Sequence, residues 1–366
     1  MLKNFKVKGF KNFSEQIELD FSDVRDYSFS KDCIKDGFLN KIIIYGKNGV
    51  GKSNIGLAIF DLITHLTDKN VTPGLYDYYL NADNDTGFAE FQYVFRIGDS
   101  EIEYRYHKNQ EQVLQFEEVR MDSEIVFSYN FSNKQGNLEG LLKRVPSLNY
   151  EFLNEHFSIL KYVVSNTAGD GIKPLKEMVR FVNNMLWCRS LDENRYIGFK
   201  NDSKDYFSFI LDHDRLGGFQ SLINRAGIDE QLEIIVDPDG QERLYFKRKK
   251  PLPFFKTASN GTKALYTLYY WLSASKDLSF LFIDEFDAYY HFELSEMIVT
   301  LLESMDGFQT VLTSHNTNLL TNRMMRPDCY FILTPNQLTS LANATKRELR
   351  EGNNLEKLYV SGEFDG

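Results

Sequence analysis

Two periodicities divide the chain. Near its start apolar residues recur at every second position, in Phe5-Lys6-Val7-Lys8-Gly9-Phe10 and again in Ile17-Glu18-Leu19-Asp20-Phe21. That spacing predicts strands with one buried face. Lys41-Ile42-Ile43-Ile44-Tyr45 is instead a continuous apolar run and predicts a strand covered on both faces. Ile55, Ile59, Leu62, Ile63 and Leu66 then share one helical face, which predicts a helix over 53–66. Alternation returns with Phe91, Tyr93 and Phe95, and with Ile102, Tyr104 and Tyr106, separated by a Gly98-Asp99-Ser100 turn. With short strands at 113–116 and 125–129, this block predicts an antiparallel meander.

Between 137 and 227 the period lengthens. Segments 150–164, 174–186 and 219–223 read as helices, and Pro174 suits a first helical turn. Beyond it, strands at 232–236 and 243–246 flank the turn Asp237-Pro238-Asp239-Gly240. A helix at 262–272, a strand at 278–283, a helix at 292–305 and strands at 309–313 and 330–333 complete the pattern. Strand–helix alternation predicts an α/β fold with a mainly parallel sheet. The expected organisation is one head in two parts, 1–136 and 228–366, with 137–227 as a mostly helical insert or lid. No repeat and no heptad run long enough for a coiled-coil arm interrupts it.

Composition removes several classes. No apolar run approaches the ~18–20 residues of a membrane span, and Met1-Leu2-Lys3-Asn4-Phe5 does not open like a signal peptide. Cys33, Cys188 and Cys329 lie far apart, without metal-ligand spacing, so a reducing cytoplasm is expected. A net charge of −10 excludes a general polyanion binder. Nucleic acid or an acidic partner would need a local patch, for which Lys247-Arg248-Lys249-Lys250 is the candidate; a solvated strand end is the alternative reading.

The strongest chemical signal is Gly46-Lys47-Asn48-Gly49-Val50-Gly51-Lys52-Ser53. Glycines at this spacing form a loop whose backbone N–H groups cradle phosphates, ahead of a helix N-terminus. Lys52 is expected to reach the β- and γ-phosphates and Ser53 to ligate Mg²⁺, with Asn54 beside them; ATP and Mg²⁺ are the expected cofactors. Phe280-Leu281-Phe282-Ile283-Asp284-Glu285 has the Walker B pattern. A buried strand delivers Asp284 to the metal, and Glu285 is the candidate general base. Further on, Ala258-Ser259-Asn260-Gly261-Thr262-Lys263 opens a helix, and Thr313-Ser314-His315-Asn316 follows a strand.

The stretch with Ser259, Gly261 and Thr262, which could also be an ordinary helix start capped by Ser259, resembles the signature motif of ABC-type ATPases, in which the signature of one subunit meets the nucleotide held by another. His315 resembles their switch histidine, and Asp287-Ala288 their D-loop. The resemblance implies a P-loop ABC-ATPase head that hydrolyses ATP, His315 acting with Glu285, in a homo-oligomer. A Q-loop is not evident: Gln92 is the candidate by distance, and Asn166 in Val163-Val164-Ser165-Asn166 by place after the meander. Phe10-Lys11-Asn12-Phe13 and the phosphate loop resemble SMC and RecF-type ATPases more than transporter subunits. Lys11 and Arg189 are candidates for phosphate or neighbouring-subunit contact, with a plain surface residue as the alternative reading of each. Phe254-Phe255 reads as core or subunit contact.

Over nearly its whole length the chain is similar to compact RecF/OLD-like ATPases of bacterial antiphage systems, of the AbiL/RloA, PARIS and Septu type. Trp187-Cys188-Arg189-Ser190-Leu191, Asn194 to Phe199, His291 and the segment 354–362 carry that likeness. It implies a sensor or scaffold that controls a separate toxic effector, often a nuclease. Only 51 residues follow His315, so no Toprim nuclease is expected here. A RecF-like DNA-repair ATPase is the alternative.

Overall fold

The computed structural model describes residues 1–72, 74–150, 153–189, 196–198, 206–274 and 277–364. Two large sheets face a shared core. The first has eight strands in the order Gln337–Ser340, Tyr330–Thr334, Lys41–Tyr45, Gln309–Thr313, Phe280–Asp284, Met185–Arg189, Tyr196–Gly198 and Asn70–Val71. The run from Tyr330–Thr334 to Met185–Arg189 is parallel, and the outer strands pair antiparallel. The second sheet is the meander. Its seven antiparallel strands run Gln135–Asn137, Glu124–Asn130, Leu114–Met121, Ser100–Lys108, Ala89–Ile97, Leu2–Lys8, Ile17–Asp20. A small sheet of Leu232–Val236, Glu242–Phe246 and Leu252–Pro253 stands apart. This is the mixed α/β fold expected from the alternation of periods.

The helix Lys52–Phe60 lies between the sheets. Gly56 lets it seat on the parallel sheet, because a Cβ there would stand 2.6 Å from the Phe282 ring and 2.7 Å from Trp187 Nε1. From the other side the Tyr93 hydroxyl donates to the Ala58 carbonyl at 2.8 Å, and Tyr76 to Leu57 at 2.8 Å. The sheets are also joined directly at their base. The Gln309 side chain accepts from the Leu2 N–H at 2.7 Å and donates to the Leu2 carbonyl at 2.9 Å, as a neighbouring strand would.

Three segments differ from the sequence expectation. The helix expected over 53–66 is two helices, Lys52–Phe60 and Ile63–Leu66. Between them the buried Asp61 carboxylate accepts from Lys108 Nζ (2.7 Å), the Tyr106 hydroxyl (2.8 Å) and the Tyr79 hydroxyl (2.9 Å). A buried ion pair held by further hydrogen bonds fixes the bend, since losing one partner strands the other charge. The helix expected over 150–164 begins only at Ile159. There the buried Glu117 carboxylate accepts from the N–H groups of Ile159 (2.7 Å) and Leu160 (3.2 Å) and from the Ser158 hydroxyl (2.6 Å), an N-terminal cap supplied by the meander. The helix expected over 174–186 ends at Asn183, and Met185–Arg189 is a strand. Met-Leu-Trp-Cys is apolar on both faces, a pattern a buried strand shares with a buried helix. The region 137–227 therefore supplies two strands to the parallel sheet besides its helices.

Candidate nucleotide-binding site

The Lys41–Tyr45 strand runs into the glycine loop at the C-terminal edge of the parallel sheet. Gly49 (φ +81°) and Gly51 (φ +107°) take left-handed backbone that side chains disfavour. A Cβ on Gly46 would lie 2.8 Å from the Leu333 carbonyl, and one on Gly51 2.3 Å from the Asn12 amide. Lys47, Asn48 and Gly49 form the exposed arch. Lys52 Nζ reaches back to the carbonyls of Gly46 (2.8 Å) and Lys47 (3.2 Å). Asn12 closes the loop from the N-terminal segment: its Nδ2 donates to the Val50 carbonyl at 2.6 Å, and its Oδ1 accepts from Asn54 Nδ2 at 2.8 Å.

Asp284 ends its strand fully buried. Its Oδ1 accepts from the Thr313 hydroxyl at 2.8 Å, and its Oδ2 lies 3.2 Å from Arg189 Nε without a well-directed hydrogen bond. Burial holds its carboxyl above the ordinary carboxylate range, and Ser53, Thr313 and the charge of Arg189 offset only part of that rise, to which Glu285 adds. The Glu285 backbone is left-handed (φ +51°) and is held there by its N–H, which donates to the Thr313 hydroxyl at 2.7 Å. Such a conformation costs of order 1–3 kcal/mol in a non-glycine residue. It turns the Glu285 carboxylate out of the strand, 3.0 Å from the second arm of Arg189.

His315 Nδ1 stands 3.5 Å from Lys52 Nζ. Burial, then the Lys52 charge, pushes the imidazole pKa below its ordinary value, which favours the neutral ring. Burial likewise lowers Lys52, opposed by Asp284 and Glu285. Asp287 accepts from the Ser314 hydroxyl at 2.6 Å, tying the stretch after Walker B to the residue before His315. Lys52, Ser53, Asp284, Glu285 and His315 thus converge at one sheet edge. Ser53 and Asp284 offer hard oxygen donors, and Asp284 Oδ2 has bonding capacity to spare. This donor pair fits Mg²⁺, which usually takes one or two protein ligands plus substrate phosphates.

Residues 41–321 match the family model described as AAA domain, putative AbiEii toxin, Type IV TA system. The chain belongs to this family. Among solved structures, this AAA-domain protein is similar to an SMC head bound to the C-terminal winged-helix domain of ScpA, with 16% identity, 93% of this chain and 97% of that chain covered, and a TM-score of 0.50. The SMC head from Pyrococcus furiosus bound to the C-terminal domain of ScpA gives 12% identity, coverage of 93% and 96%, and a TM-score of 0.48. RecF bound to ATP gives 13%, 93% and 99%, and 0.42. No curated protein sequence matches. The AAA-domain family and the fold shared with the first of these SMC heads agree with the P-loop reading of the motifs.

The signature-like residues of the AAA-domain protein lie elsewhere. Ser259 precedes the helix Asn260–Ala274, and its hydroxyl accepts from the Thr262 N–H at 3.2 Å and pairs with the Thr262 hydroxyl at 2.8 Å. A Cβ on Gly261 would lie 2.9 Å from the Tyr289 carbonyl. Ser259, Gly261 and Thr262 line an open cleft of about 780 Å³ with Arg248, Leu252, Tyr289 and His291. Among the described residues, no hydrogen bond or ion pair links them to the phosphate loop. Lys247-Arg248-Lys249-Lys250 is an exposed bend beside this cleft, with Arg248 paired to Glu230.

Other sequence candidates fall away from the convergence. Lys11 Nζ donates to the Asp77 carbonyl at 2.7 Å, although its neighbour Asn12 grips the loop. Gln92 sits within its strand and donates to Glu103 at 2.9 Å. The Asn166 side chain donates to the Tyr162 carbonyl at 2.9 Å and borders a separate cavity with Thr64 and His65. Phe254 is buried and Phe255 packs on Phe254 and Tyr266, as core. Ser190, Leu191, Asn194 and Phe199 lie outside the described residues. Sequence reasoning missed Asn12 and Thr313, and it saw Arg189 as a phosphate or subunit contact or else a surface residue. Both Asn12 and Thr313 stand inside motifs quoted for their neighbours; nothing local announces their partners.

Proposed function

We propose that this protein binds and slowly hydrolyses ATP, assembles head to tail through bound nucleotide, and acts as a sensor or scaffold that controls a separate toxic effector in antiphage defence. The convergence of Lys52, Ser53, Asp284, Glu285 and His315 on one sheet edge carries the reading. The backbone of Gly46, Lys47, Asn48, Gly49 and Gly51 receives the phosphates, Lys52 neutralises them, and Asn54 steadies the loop through Asn12. Ser53 and Asp284 would hold Mg²⁺, which would supply electrophilic polarisation of phosphate oxygens when bound. Glu285 takes the proton of the attacking water, and neutral His315 hydrogen-bonds the γ-phosphate or that water.

Among the described residues no hydrogen bond or ion pair joins Ser259, Gly261 or Thr262 to this site, which supports a second copy providing them, with Asp287 near the contact. A hydroxyl and the N-terminus of a long helix suit an incoming phosphate. The family description, a putative toxin of a toxin–antitoxin system, supports a role in prokaryotic immunity, with an effector such as a nuclease as partner. The exposed Lys247-Arg248-Lys249-Lys250 bend favours a second reading, a RecF-like DNA-repair ATPase.

Native mass analysis of Glu285→Gln, purified from its host with ATP and Mg²⁺ and treated with or without nuclease, separates the two. An oligomer with a nuclease-resistant second protein subunit is expected. A dimer carrying only nuclease-sensitive material would replace the scaffold with the repair clamp. In either case Glu285→Gln retains ATP and slows hydrolysis by roughly 10²–10⁴-fold.

A further inference from the structure

Arg189 ends the strand beside Walker B, in parallel register with Asp284. One planar guanidinium therefore faces two carboxylates: Nε lies 3.2 Å from Asp284 Oδ2, and a terminal nitrogen 3.0 Å from Glu285 Oε2. Asp284 has no exposed surface, so water cannot screen it. Adjacent carboxylates in such a place repel unless a cation sits between them. Arg189 supplies that cation, and it touches the Asp284 oxygen that has bonding capacity to spare. It also braces Glu285, whose left-handed backbone leaves the carboxylate dependent on its partners.

We propose that Arg189 is a positioning residue with two tasks: its guanidinium stands in as counter-ion at Asp284 and competes with Mg²⁺ there, and it aims the Glu285 carboxylate. This rests on the nucleotide-site reading above. A guanidinium is suited to the double task because its rigid fork spans two acceptors at once and stays charged at all working pH values. Metal arrival has to displace one arm, the Nε contact to Asp284. The contact to Glu285 remains compatible with metal at Asp284.

The test is a Mg²⁺ titration of binding of a fluorescent, non-hydrolysable ATP analogue to the full chain. Wild type is expected to bind in a Mg²⁺-dependent manner. Arg189→Ala removes the competitor, so the Mg²⁺ concentration at half-binding falls at least tenfold. Arg189→Gln, close in length and uncharged, gives the same shift and serves if the alanine variant does not fold. Arg189→Lys keeps the charge but cannot span both carboxylates, so its midpoint stays within about threefold of wild type while kcat falls and KM does not. A merely structural ion pair predicts another outcome: neutral variants lose stability, and their midpoint stays or rises. A midpoint that stays or rises overturns the proposal. Wild type without nucleotide binding at any Mg²⁺ concentration overturns the site reading and this inference with it.

Discussion

The phosphate-loop side and the signature side are built to different degrees of completion. At the loop side, Lys52, Asp284, Glu285 and His315 already have protein partners. Lys52 rests on loop carbonyls, Asp284 on Thr313 and Arg189, Glu285 on Arg189, and His315 on Lys52. At the signature, Ser259 and Thr262 satisfy mainly one another at the rim of an open cleft. The first arrangement holds its side chains in place before any ligand arrives, which lowers the ordering cost of binding. The second is open. Under the function proposed above, nucleotide affinity belongs to the first side, and the second acts only where another copy meets it.

Substitutions can break that division. The largest effect is expected from Lys52→Ala, which removes both the charge and the tether to Gly46 and Lys47. Calorimetric titration should give ATP affinity at least ~100-fold weaker, in line with the loss of charge-assisted hydrogen bonds. Affinity close to wild type would show that the loop side is not the primary site. Ser259→Arg fills the signature rim. Its ATP affinity should stay within about threefold of wild type, while sedimentation velocity shows loss of the ATP-dependent oligomer and hydrolysis drops at least ~10-fold. If this variant instead lost ATP binding as a monomer, the two sides would be one site. Asn12→Ala sharpens the comparison from outside both motifs. It deletes two hydrogen bonds, one to the loop at Val50 and one from Asn54 on the helix that follows, each worth ~0.5–1.5 kcal/mol. Nucleotide affinity should weaken about 3–10-fold with assembly unchanged at saturating ATP; an unchanged affinity would reduce Asn12 to a surface clasp.

What the sequence disclosed follows the same divide between local and distant causes. The phosphate loop, the Walker B strand and the meander are written in contiguous residues, where glycine spacing or alternation is itself the physical cause. Asn12 meets Val50, Arg189 meets Asp284 and Glu285, and Asp61 meets Lys108 only after folding. Each of those residues has an unremarkable local pattern. Thr313 is the clearest case: one hydroxyl donates to Asp284 and accepts from the Glu285 backbone, yet in sequence it is the last residue of a buried strand. The Met185–Arg189 strand escaped for the opposite reason, because an apolar run after a helix has no period of its own to mark the change.

The Gln309 clasp on Leu2 anchors the first strand at one end. It joins the two sheets at the start of Leu2–Lys8, which at ~3.4 Å per residue is more than 20 Å long. Beyond the other end of that strand is the turn that carries Asn12 onto the Val50 carbonyl. One short stretch of chain therefore connects the junction of the sheets with the rim of the phosphate loop.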